Sequence, residues 1–345
     1  MVSIIIPVYR SEQTLERCIN SVCAQTYTDW EAIMIVDGPP DASGRLADTL
    51  AKKDDRIRVI HQENQGVSAA RNTGVKHAKG TFIEFLDSDD YLEPHALAVM
   101  EAAMQASECD MVIAGFHHLY FGRDIVKLPS MSGTYRCKEN RAVFLQLYQE
   151  QFLNMPWNKW YRKELIQQGF PLHMNLGEDL LFNIAYMRNI RAFCVIQEPV
   201  YDYIQDDRGT TLSTKHREDR IQTAFCLYDA VHDFCVDIWG KAQANETSIL
   251  STKVAVEFLD AMEGLAFETE LKRKEKLEII QTYCEAWRKM EDKIDALTKV
   301  QANLHLLDYK IIFYFFTREK IKSTYLMIVL RGIIVKWIRR VTCSH

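Results

Sequence analysis

Short apolar runs alternate with amphipathic segments over the first hundred residues. The apolar runs predict four β-strands, at residues 2–8, 30–36, 57–61 and 82–86. The segments between them have apolar residues at helical spacing and predict helices at 11–24, 42–53 and 66–78, with Ser11 as the N-cap of the first. This order predicts an α/β fold with a Rossmann-like, mostly parallel sheet that carries helices on both faces.

The pattern changes after residue 95. Residues 95–150 are mixed, with a strand predicted near 111–115, and residues 151–210 are aromatic-rich and irregular. From about residue 215 the apolar residues return at helical spacing, which is typical of helices that pack one face against a core. We therefore predict an α/β domain over residues 1–214 and a helical C-terminal region over residues 215–345.

Charge is unevenly distributed along the 345 residues, whose net charge is −5. Residues 318–345 carry seven Lys or Arg against one Glu, so the rest of the chain has a net charge of −11. An acidic protein of this kind is not expected to bind nucleic acid, whereas its basic tail suits an anionic surface. The nine cysteines form no Cys-x-x-Cys pair, which favours free thiols in a reducing compartment. No signal peptide is expected at the N-terminus.

The basic tail is also amphipathic. Drawn as a helix, residues 322–340 collect apolar side chains on one face and four basic ones, Arg331, Lys336, Arg339 and Arg340, on the other half. This pattern predicts an interfacial helix on a membrane surface, because the apolar run 326–330 is far too short to span a bilayer. The alternative is a terminal helix that packs on the protein or contacts a second copy of the chain.

A cluster of carboxylates follows the fourth predicted strand, at residues 86–90 (LDSDD). Hard oxygen ligands at a rigid strand end suit Mg²⁺ or Mn²⁺. Tyr9 and Asp37 also lie where predicted strands end. Since ligands of open α/β sheets bind beyond the carboxyl ends of the strands, we expect one crevice to collect Tyr9, Asp37 and Asp87.

Several ordered segments resemble the signature motifs of the family 2 glycosyltransferases, which have the GT-A fold. They are residues 3–9 (SIIIPVY), 64–74 (NQGVSAARNTG), 86–90, 157–162 (WNKWYR) and 177–182 (GEDLLF). The resemblance covers roughly residues 2–210. One segment departs from the family pattern: residues 37–41 (DGPPD) are one residue shorter than the usual turn and have a single Asp before the Gly.

The resemblance implies a divalent ion at the carboxylate cluster, Mn²⁺ or Mg²⁺. Asp89 would be its principal ligand, Asp87 would contact the ion or the donor ribose, and Ser88 would belong to the donor-binding set. Asp90 would either support the ion's ligands or cap the helix that begins near Pro94.

The resemblance also implies contacts to the nucleotide. Asp37 would accept a hydrogen bond from uracil N3, and Pro7 and Tyr9 would flank the base. Arg71 would reach the nucleotide or its diphosphate. The alternatives are packing at the rim for Tyr9 and a structural ion pair with a strand-end aspartate for Arg71.

The implied general base is Asp179, which would remove the proton of the acceptor hydroxyl. Glu178 would bind the sugar or brace the site. The remaining implied pocket residues line the donor sugar or the acceptor: Trp157, Asn158 and Lys159. The alternative for Glu178 and Asp179 is that they simply begin a helix, whose positive end favours acids.

These expectations describe an inverting, metal-dependent glycosyltransferase that moves a hexose or N-acetylhexosamine from a UDP-sugar to a glycan acceptor. We expect a lipid-linked acceptor, in bacterial cell-surface polysaccharide synthesis, and a cytoplasmic enzyme held peripherally at the inner membrane face by its tail. The alternative is a catalytically inactive scaffold that binds nucleotide-sugars. A nucleotidyltransferase is disfavoured, because residues 9–12 (YRSE) stand where its Gly-rich phosphate loop would lie.

Overall fold

A computed structural model describes most of the chain. The described residues are 1–38, 40–120, 122–174, 176–205, 219–241, 243–268 and 271–290, together with Thr324 and Met327. The chain divides into two compact units, Met1–Gly209 and Thr210–His345. The predicted boundary between residues 214 and 215 lies outside the described residues, and so does nearly all of the basic tail.

Four parallel strands form the first half of the sheet. They are β1 (Val2–Val8), β2 (Trp30–Asp37), β3 (Ile57–Gln62) and β4 (Phe82–Phe85), in the order β3-β2-β1-β4. Every residue of β2 is buried, which explains why residues 32–36 (AIMIV) form a continuous apolar run rather than an alternating one. These strands confirm the four that the sequence predicts, and with them the α/β class.

The connecting helices are α1 (Leu15–Cys23), α2 (Ser43–Ala51) and α3 (Val67–His77). The predicted N-cap of the first helix is wrong, because α1 begins at Leu15 with Thr14 in the N-cap position. The Ser11 hydroxyl instead donates to the carbonyl oxygen of Tyr9 at 3.1 Å and lies 2.6 Å from the Ser88 hydroxyl. Its backbone carbonyl still accepts hydrogen bonds from the amides of Thr14 and Leu15.

Antiparallel pairings enter the sheet in its second half. In chain order the further elements are β5 (Tyr91–Leu92), α4 (Ala96–Ser107), β6 (Met111–Tyr120), β7 (Arg123–Lys127), β8 (Gly133–Arg136), α5 (Arg141–Gln149), β9 (Lys159–Arg162), α6 (Glu178–Met187) and β10 (Ala192–Gln205). Short 3₁₀ turns lie at Cys137–Glu139 and Lys163–Leu165. β9 pairs antiparallel with both β4 and β6, and β10 pairs parallel with β6.

Residues 151–210 are therefore more regular than their sequence predicts, since they contain β9, α6 and the fourteen-residue strand β10. Irregular register hides β10 from a periodicity analysis. Its pairing with β6 shifts between Val195 and Pro199 and again between Pro199 and Asp202, so its side chains do not alternate regularly along the whole strand.

Helix α3 packs closely on the central strand of the parallel half. A Cβ atom at Gly74 would overlap the side chain of Ile5 in β1. Glycine therefore allows the helix to approach the sheet more closely than any other residue would. This close approach holds the preceding turn of α3, with Arg71, against the carboxyl ends of the strands.

The second unit is helical where it is described, with α7 (Arg220–Trp239), α8 (Ala244–Phe267) and α9 (Arg273–Met290). Its core is aromatic: the Phe258 ring centroid lies 5.4 Å from that of Phe225 and 4.9 Å from that of Trp287. Among the described residues, no helix combines the length and the hydropathy that crossing a membrane requires.

Candidate functional site

Three neighbouring parallel strands deliver polar residues to one edge of the sheet. Tyr9 follows β1, Asp37 ends β2, and Asp87 is the second residue after β4. The sequence-based prediction that these residues lie at strand carboxyl ends is confirmed. Tyr9 is 43% exposed, and its ring lies 5.4 Å from the guanidinium carbon of Arg10. Pro7 is half-buried inside β1, opposite Ile35 of β2.

The Asp37 carboxylate is buried and accepts three hydrogen bonds. The donors are the side-chain amide of Gln62 at 2.7 Å, the backbone amide of Gln65 at 2.9 Å and the backbone amide of Gly66 at 2.8 Å. Because a carboxylate has about four acceptor positions, these donors occupy most of its capacity. Asp37 therefore fixes the turn that leads into α3.

A chain of hydroxyl groups links the loop after β2 to the carboxylate cluster. The Ser43 hydroxyl donates to Asp41 Oδ1 at 2.7 Å and accepts from the backbone amide of Ser11 at 2.7 Å. The Ser11 hydroxyl in turn lies 2.6 Å from the hydroxyl of Ser88, and both serines are buried. The shortened loop is thus tied to the carboxylate cluster, a connection that could not be predicted because no local motif encodes it.

Arg71 joins two carboxylates from distant parts of the chain. Its Nη1 donates to Asp179 Oδ1 at 2.6 Å, and its Nη2 donates to Asp87 Oδ1 at 2.8 Å. The guanidinium is 4% exposed, whereas the Asp87 and Asp179 side chains are 28% and 21% exposed. The alternative predicted for Arg71, a structural ion pair with a strand-end aspartate, is present with Asp87, and Arg71 pairs with Asp179 of α6 as well.

An asparagine next to Arg71 holds the backbone of Phe170, whose ring packs on the helix that carries Asp179. Asn72 forms two hydrogen bonds with the backbone of Phe170, one to the carbonyl at 2.8 Å and one from the amide at 2.7 Å. The Phe170 ring lies 5.2 Å from the Arg71 guanidinium carbon and stacks on Phe182 of α6 with centroids 4.0 Å apart. Phe170 therefore connects helix α3 to helix α6 beside the ion pair.

Burial dominates the electrostatics of Asp179. It raises the pKa of this carboxyl, and the charges of Glu178 and Asp87 raise it further, while Arg71 and Lys159 act in the opposite direction. The resulting pKa is about 7. Burial alone would lower the pKa of Arg71, but the charges of Asp179 and Asp87 raise it above its ordinary value, so the guanidinium stays charged.

The carboxylate cluster divides into an outer and an inner part. Asp89 is exposed, and its backbone carbonyl accepts a hydrogen bond from Arg17 at 2.5 Å. Asp90 is buried and accepts from the Tyr201 hydroxyl and from the amide of Ile204, both at 2.8 Å. Asp90 does not cap a helix, because α4 begins at Ala96 with His95 in the N-cap position.

Tyr201 ties the motif to β10. Its hydroxyl accepts from the Asp87 amide at 3.2 Å while it donates to Asp90. Burial, together with the charges of Asp89 and Asp87, raises the pKa of Asp90 well above its ordinary value. Tyr201 was not predicted as part of this site, because it lies 114 residues from Asp87 in a segment whose sequence pattern is irregular.

The outer carboxylates fit a divalent cation by their chemistry. Asp87 and Asp89 are two residues apart, partly or fully exposed, and offer the hard oxygen donors that Mg²⁺ and Mn²⁺ prefer. Asp87 uses Oδ1 for Arg71, and Asp90 is turned inward to β10. A cation at this edge would therefore be held by Asp87 and Asp89.

The three predicted pocket residues, Trp157, Asn158 and Lys159, are buried. The Trp157 ring stacks on Tyr201 with centroids 4.2 Å apart. Asn158 donates to the carbonyl of Ala114 at 2.8 Å and accepts from Lys159 Nζ at 2.5 Å. Burial lowers the pKa of Lys159 to about 7, against the opposing charges of Asp179 and Glu84. Their contact with a donor sugar or acceptor stays a prediction.

Both acids of the GEDLLF segment lie in the first turn of α6. The helix that their sequence predicts is confirmed, and the positive end of its dipole favours them there. Glu178 is 9% exposed. The start of the helix thus accounts for the position of Glu178 and Asp179. The hydrogen bond from Arg71 to Asp179 is an additional contact that a helix terminus alone does not require.

Comparisons with known proteins identify the family. The model of Glycosyl transferase family 2 matches residues 3–170. The uncharacterized glycosyltransferase EpsJ of Bacillus subtilis (strain 168) is 35% identical over 241 residues, which are 66% of this chain and 70% of EpsJ. The putative glycosyltransferase EpsH of the same organism is 33% identical over 207 residues, and there the match spans 60% of the relative.

Solved structures agree with the fold. The crystal structure of S. aureus TarS 1-349 in complex with UDP-GlcNAc has a TM-score of 0.68, covering 94% of this chain and 90% of that chain. Its sequence identity is 18%, so the likeness is one of fold. With the family model over residues 3–170 and the match to EpsJ, the chain belongs to glycosyl transferase family 2 and has the GT-A fold.

Proposed function

We propose that this glycosyltransferase is inverting and metal-dependent, and that it moves a hexose or N-acetylhexosamine from a UDP-sugar to a glycan acceptor. The observation that carries the proposal is the contact of Arg71 with both Asp87 and Asp179. It brings the expected diphosphate end of a donor site next to a carboxylate with a pKa of about 7. In a one-step displacement the base and the leaving group lie on opposite sides of the anomeric carbon, so both must line the same donor pocket.

The donor class is supported by fold and by local chemistry. A structural neighbour, TarS, was crystallised with UDP-GlcNAc. Among the contacts of the described residues, Asp37 has three of its roughly four acceptor positions filled, which leaves one for the N3–H of uracil. Tyr9 is exposed beside it at the end of β1, where a ring flanks a base well.

The cation would be held by Asp87 and Asp89, and Mn²⁺ or Mg²⁺ would neutralise charge on the leaving diphosphate. Arg71 keeps the Asp87 carboxylate oriented from the protein side. Full turnover in the presence of excess EDTA would contradict the proposed metal dependence.

Asp179 acts as the base in the proposed reaction. Its carboxylate takes the proton of the acceptor hydroxyl while the oxygen bonds to the anomeric carbon, and the bond from that carbon to UDP breaks on the opposite face. A pKa of about 7 suits this task, because the carboxylate is ionised at neutral pH and still binds a proton well. Arg71 orients the carboxylate and holds it beside the donor end.

The acceptor and the location are proposed from the sequence. We propose a glycan acceptor, lipid-linked, in cell-surface polysaccharide synthesis, because the family resemblance implies this class. The enzyme would lie in the cytoplasm, attached peripherally to the inner membrane face through residues 318–345, whose charge pattern is the support.

The base assignment predicts that Asp179→Asn lowers kcat by about 10²- to 10⁴-fold, the usual contribution of a general base. The donor is first chosen from UDP-glucose, UDP-galactose, UDP-GlcNAc and UDP-GalNAc by thermal shift with Mn²⁺. Transfer is then measured with that donor. The same thermal shift must persist in Asp179→Asn, which separates lost chemistry from lost binding.

Glu178→Gln is the matched control, because it removes the adjacent acid of the same helical turn. Because Glu178 is itself expected to bind the sugar or brace the site, we expect this variant to lose turnover, but less than Asp179→Asn does. Near-normal kcat in Asp179→Asn would contradict the assignment. Donor binding without turnover in the wild-type protein, across all four sugars and a panel of glycan acceptors, would instead favour the inactive scaffold.

The pH dependence follows from the raised pKa of Asp179. Below about pH 7 the carboxylate is protonated and cannot accept a proton, so log kcat/KM should fall by one unit per pH unit. Glu178→Gln removes a charge that raises the pKa, so the acid limb should move to lower pH. A limb near pH 4 in the wild-type protein, where an ordinary aspartate titrates, would contradict this account.

The tail is tested by neutralising it within the full chain. Changing Arg331, Lys336, Arg339 and Arg340 to Gln should weaken binding to anionic liposomes by roughly 1 kcal/mol per charge. The control replaces the exposed Lys52 and Lys53 with Gln and should bind like the wild type. Equal sedimentation of the neutralised and wild-type chains with liposomes would refute membrane attachment through this segment.

A further inference from the structure

A second polar cluster lies away from the Asp87–Arg71–Asp179 contacts. Glu93 directly follows β5, His117 is in β6, and Asp202 is in β10. One imidazole nitrogen and one carboxylate oxygen from each acid lie within 4.8 Å of one another. The sheet register brings them together, because Asp202 is the Cα partner of His117 on one side and of Tyr91 on the other.

This cluster is on the opposite face of β10 from the contacts to the carboxylate motif. Tyr201 and Tyr203 stack on Trp157, with centroids 4.2 and 5.6 Å apart, and Tyr201 bonds to Asp90. Beyond the register shift, Asp202 and Tyr203 pair with His117 and His118 of β6 in regular order, so Asp202 faces away from Tyr203, which is on the Trp157 side. The cluster is therefore separate from the proposed donor ion.

The imidazole is already oriented as a metal ligand requires. His117 Nδ1 lies 2.8 Å from Asp124 Oδ1 and 3.0 Å from Asp124 Oδ2. An N–H on Nδ1 that donates to this carboxylate leaves the lone pair on Nε2, which faces Glu93 Oε1 at 3.8 Å. A carboxylate behind a histidine in this way fixes the tautomer and raises the basicity of the ligating nitrogen.

Asp202 supplies an independent sign of a missing ligand. The residue is 4% exposed, and its Oδ2 accepts no hydrogen bond from an N–H or O–H of the described residues. Its side-chain hydrogen bond is with the Glu93 carboxyl, and two carboxyl groups can make such a bond only when they share a proton. Leaving a buried carboxylate oxygen without a donor is costly. Three carboxylates around a single imidazole also leave an excess of negative charge, which a divalent cation would neutralise.

We propose that Glu93, His117 and Asp202 bind a divalent transition-metal ion of the zinc class. The mixed nitrogen and oxygen donor set favours Zn²⁺ or Co²⁺ over Mg²⁺ and Ca²⁺, which select oxygen alone. Zinc lies about 2.0–2.2 Å from such donors, so small rotations of these side chains close the site, with the more exposed Glu93 moving most readily.

The role of this ion is structural. It joins the segment that follows the carboxylate motif to β6 and β10, the strands that form the far half of the sheet. Glu93 is only three residues after Asp90, so the ion would stabilise the inner anchor of the motif from the opposite side of the strand. It supplies no group to the transfer reaction.

The test uses the full chain, stripped with EDTA and re-equilibrated without metal. ZnCl₂ is titrated in by calorimetry, and Co²⁺ is added separately to follow its d–d absorption. We expect the wild-type chain to bind one Zn²⁺ and His117→Ala to bind none. The Co²⁺ absorption should show the d–d band of an ion with a nitrogen ligand. The Tm of the wild-type chain should rise when Zn²⁺ is added.

Two further variants provide the controls. His118→Ala removes the neighbouring histidine, whose Nε2 lies 2.9 Å from Gln205 Oε1, and should keep the zinc site. Asp124→Asn keeps all three ligands and should weaken zinc binding about 10- to 100-fold. If His117→Ala fails to fold, the zinc affinity of Asp124→Asn tests the proposed site instead. Asp89→Asn, which disables the proposed donor ion, should leave this zinc binding intact.

The opposite results overturn the proposal. If the stripped wild-type chain binds no Zn²⁺, the cluster is an ion-pair cluster around a protonated His117. If His117→Ala and Asp124→Asn bind Zn²⁺ as the wild type does, the ion does not bind at this cluster. If binding is lost in Asp89→Asn instead, the ion binds at the carboxylate cluster.

Discussion

The arrangement of the site depends on one buried guanidinium shared by two carboxylates. Arg71 is almost fully buried, so its charge must be paired, and Asp87 and Asp179 are the partners that pair it. Removing one partner of such a buried pair typically costs about 3–5 kcal/mol, because the remaining charge is left without compensation. The end of β4, helix α3 and the start of α6 are therefore held at one point.

The segment 64–74 is best understood as the support of this contact. Gly66 and Gln65 donate their amides to Asp37, which fixes the start of α3. Asn72 holds the backbone of Phe170, whose ring packs on α6, and Gly74 lets the helix approach β1. The residues of segment 64–74 thus make different contacts along one helix, and all of these contacts help to position Arg71.

The sequence predicted what depends on local pattern and on motifs. The parallel strands were predictable because buried strands are apolar runs. The segments that contain Arg71 and Asp179 were recognisable by their resemblance to family motifs, and the roles of the two residues in the reaction stay predictions. Tyr201, Phe170 and the chain from Asp41 to Ser88 were not predictable, since hydrogen bonds between distant segments leave no periodic trace. Ser11 shows the same limit: its residue type suits an N-cap, but its tertiary partners use the hydroxyl instead.

The Glu93–His117–Asp202 cluster shows this limit most clearly. The spacing of the cysteines says nothing about a site made of one histidine and two acids that lie in or next to three strands. Such a site exists only through the register of β5, β6 and β10. Sequence spacing could not reveal it, because the irregular pairing of β10 decides which of its residues face β6.

A double-mutant cycle between Arg71→Met and Asp179→Asn tests the central contact most directly. The free energy of unfolding is measured in urea for the wild type, both single variants and the double variant. A control cycle pairs Arg71→Met with Asp110→Asn, a buried aspartate that accepts from the backbone amide of Arg191 at 2.7 Å. The account predicts a coupling energy of about 1–3 kcal/mol for Arg71 with Asp179 and additivity for the control. Additivity within about 0.5 kcal/mol in both cycles would contradict it.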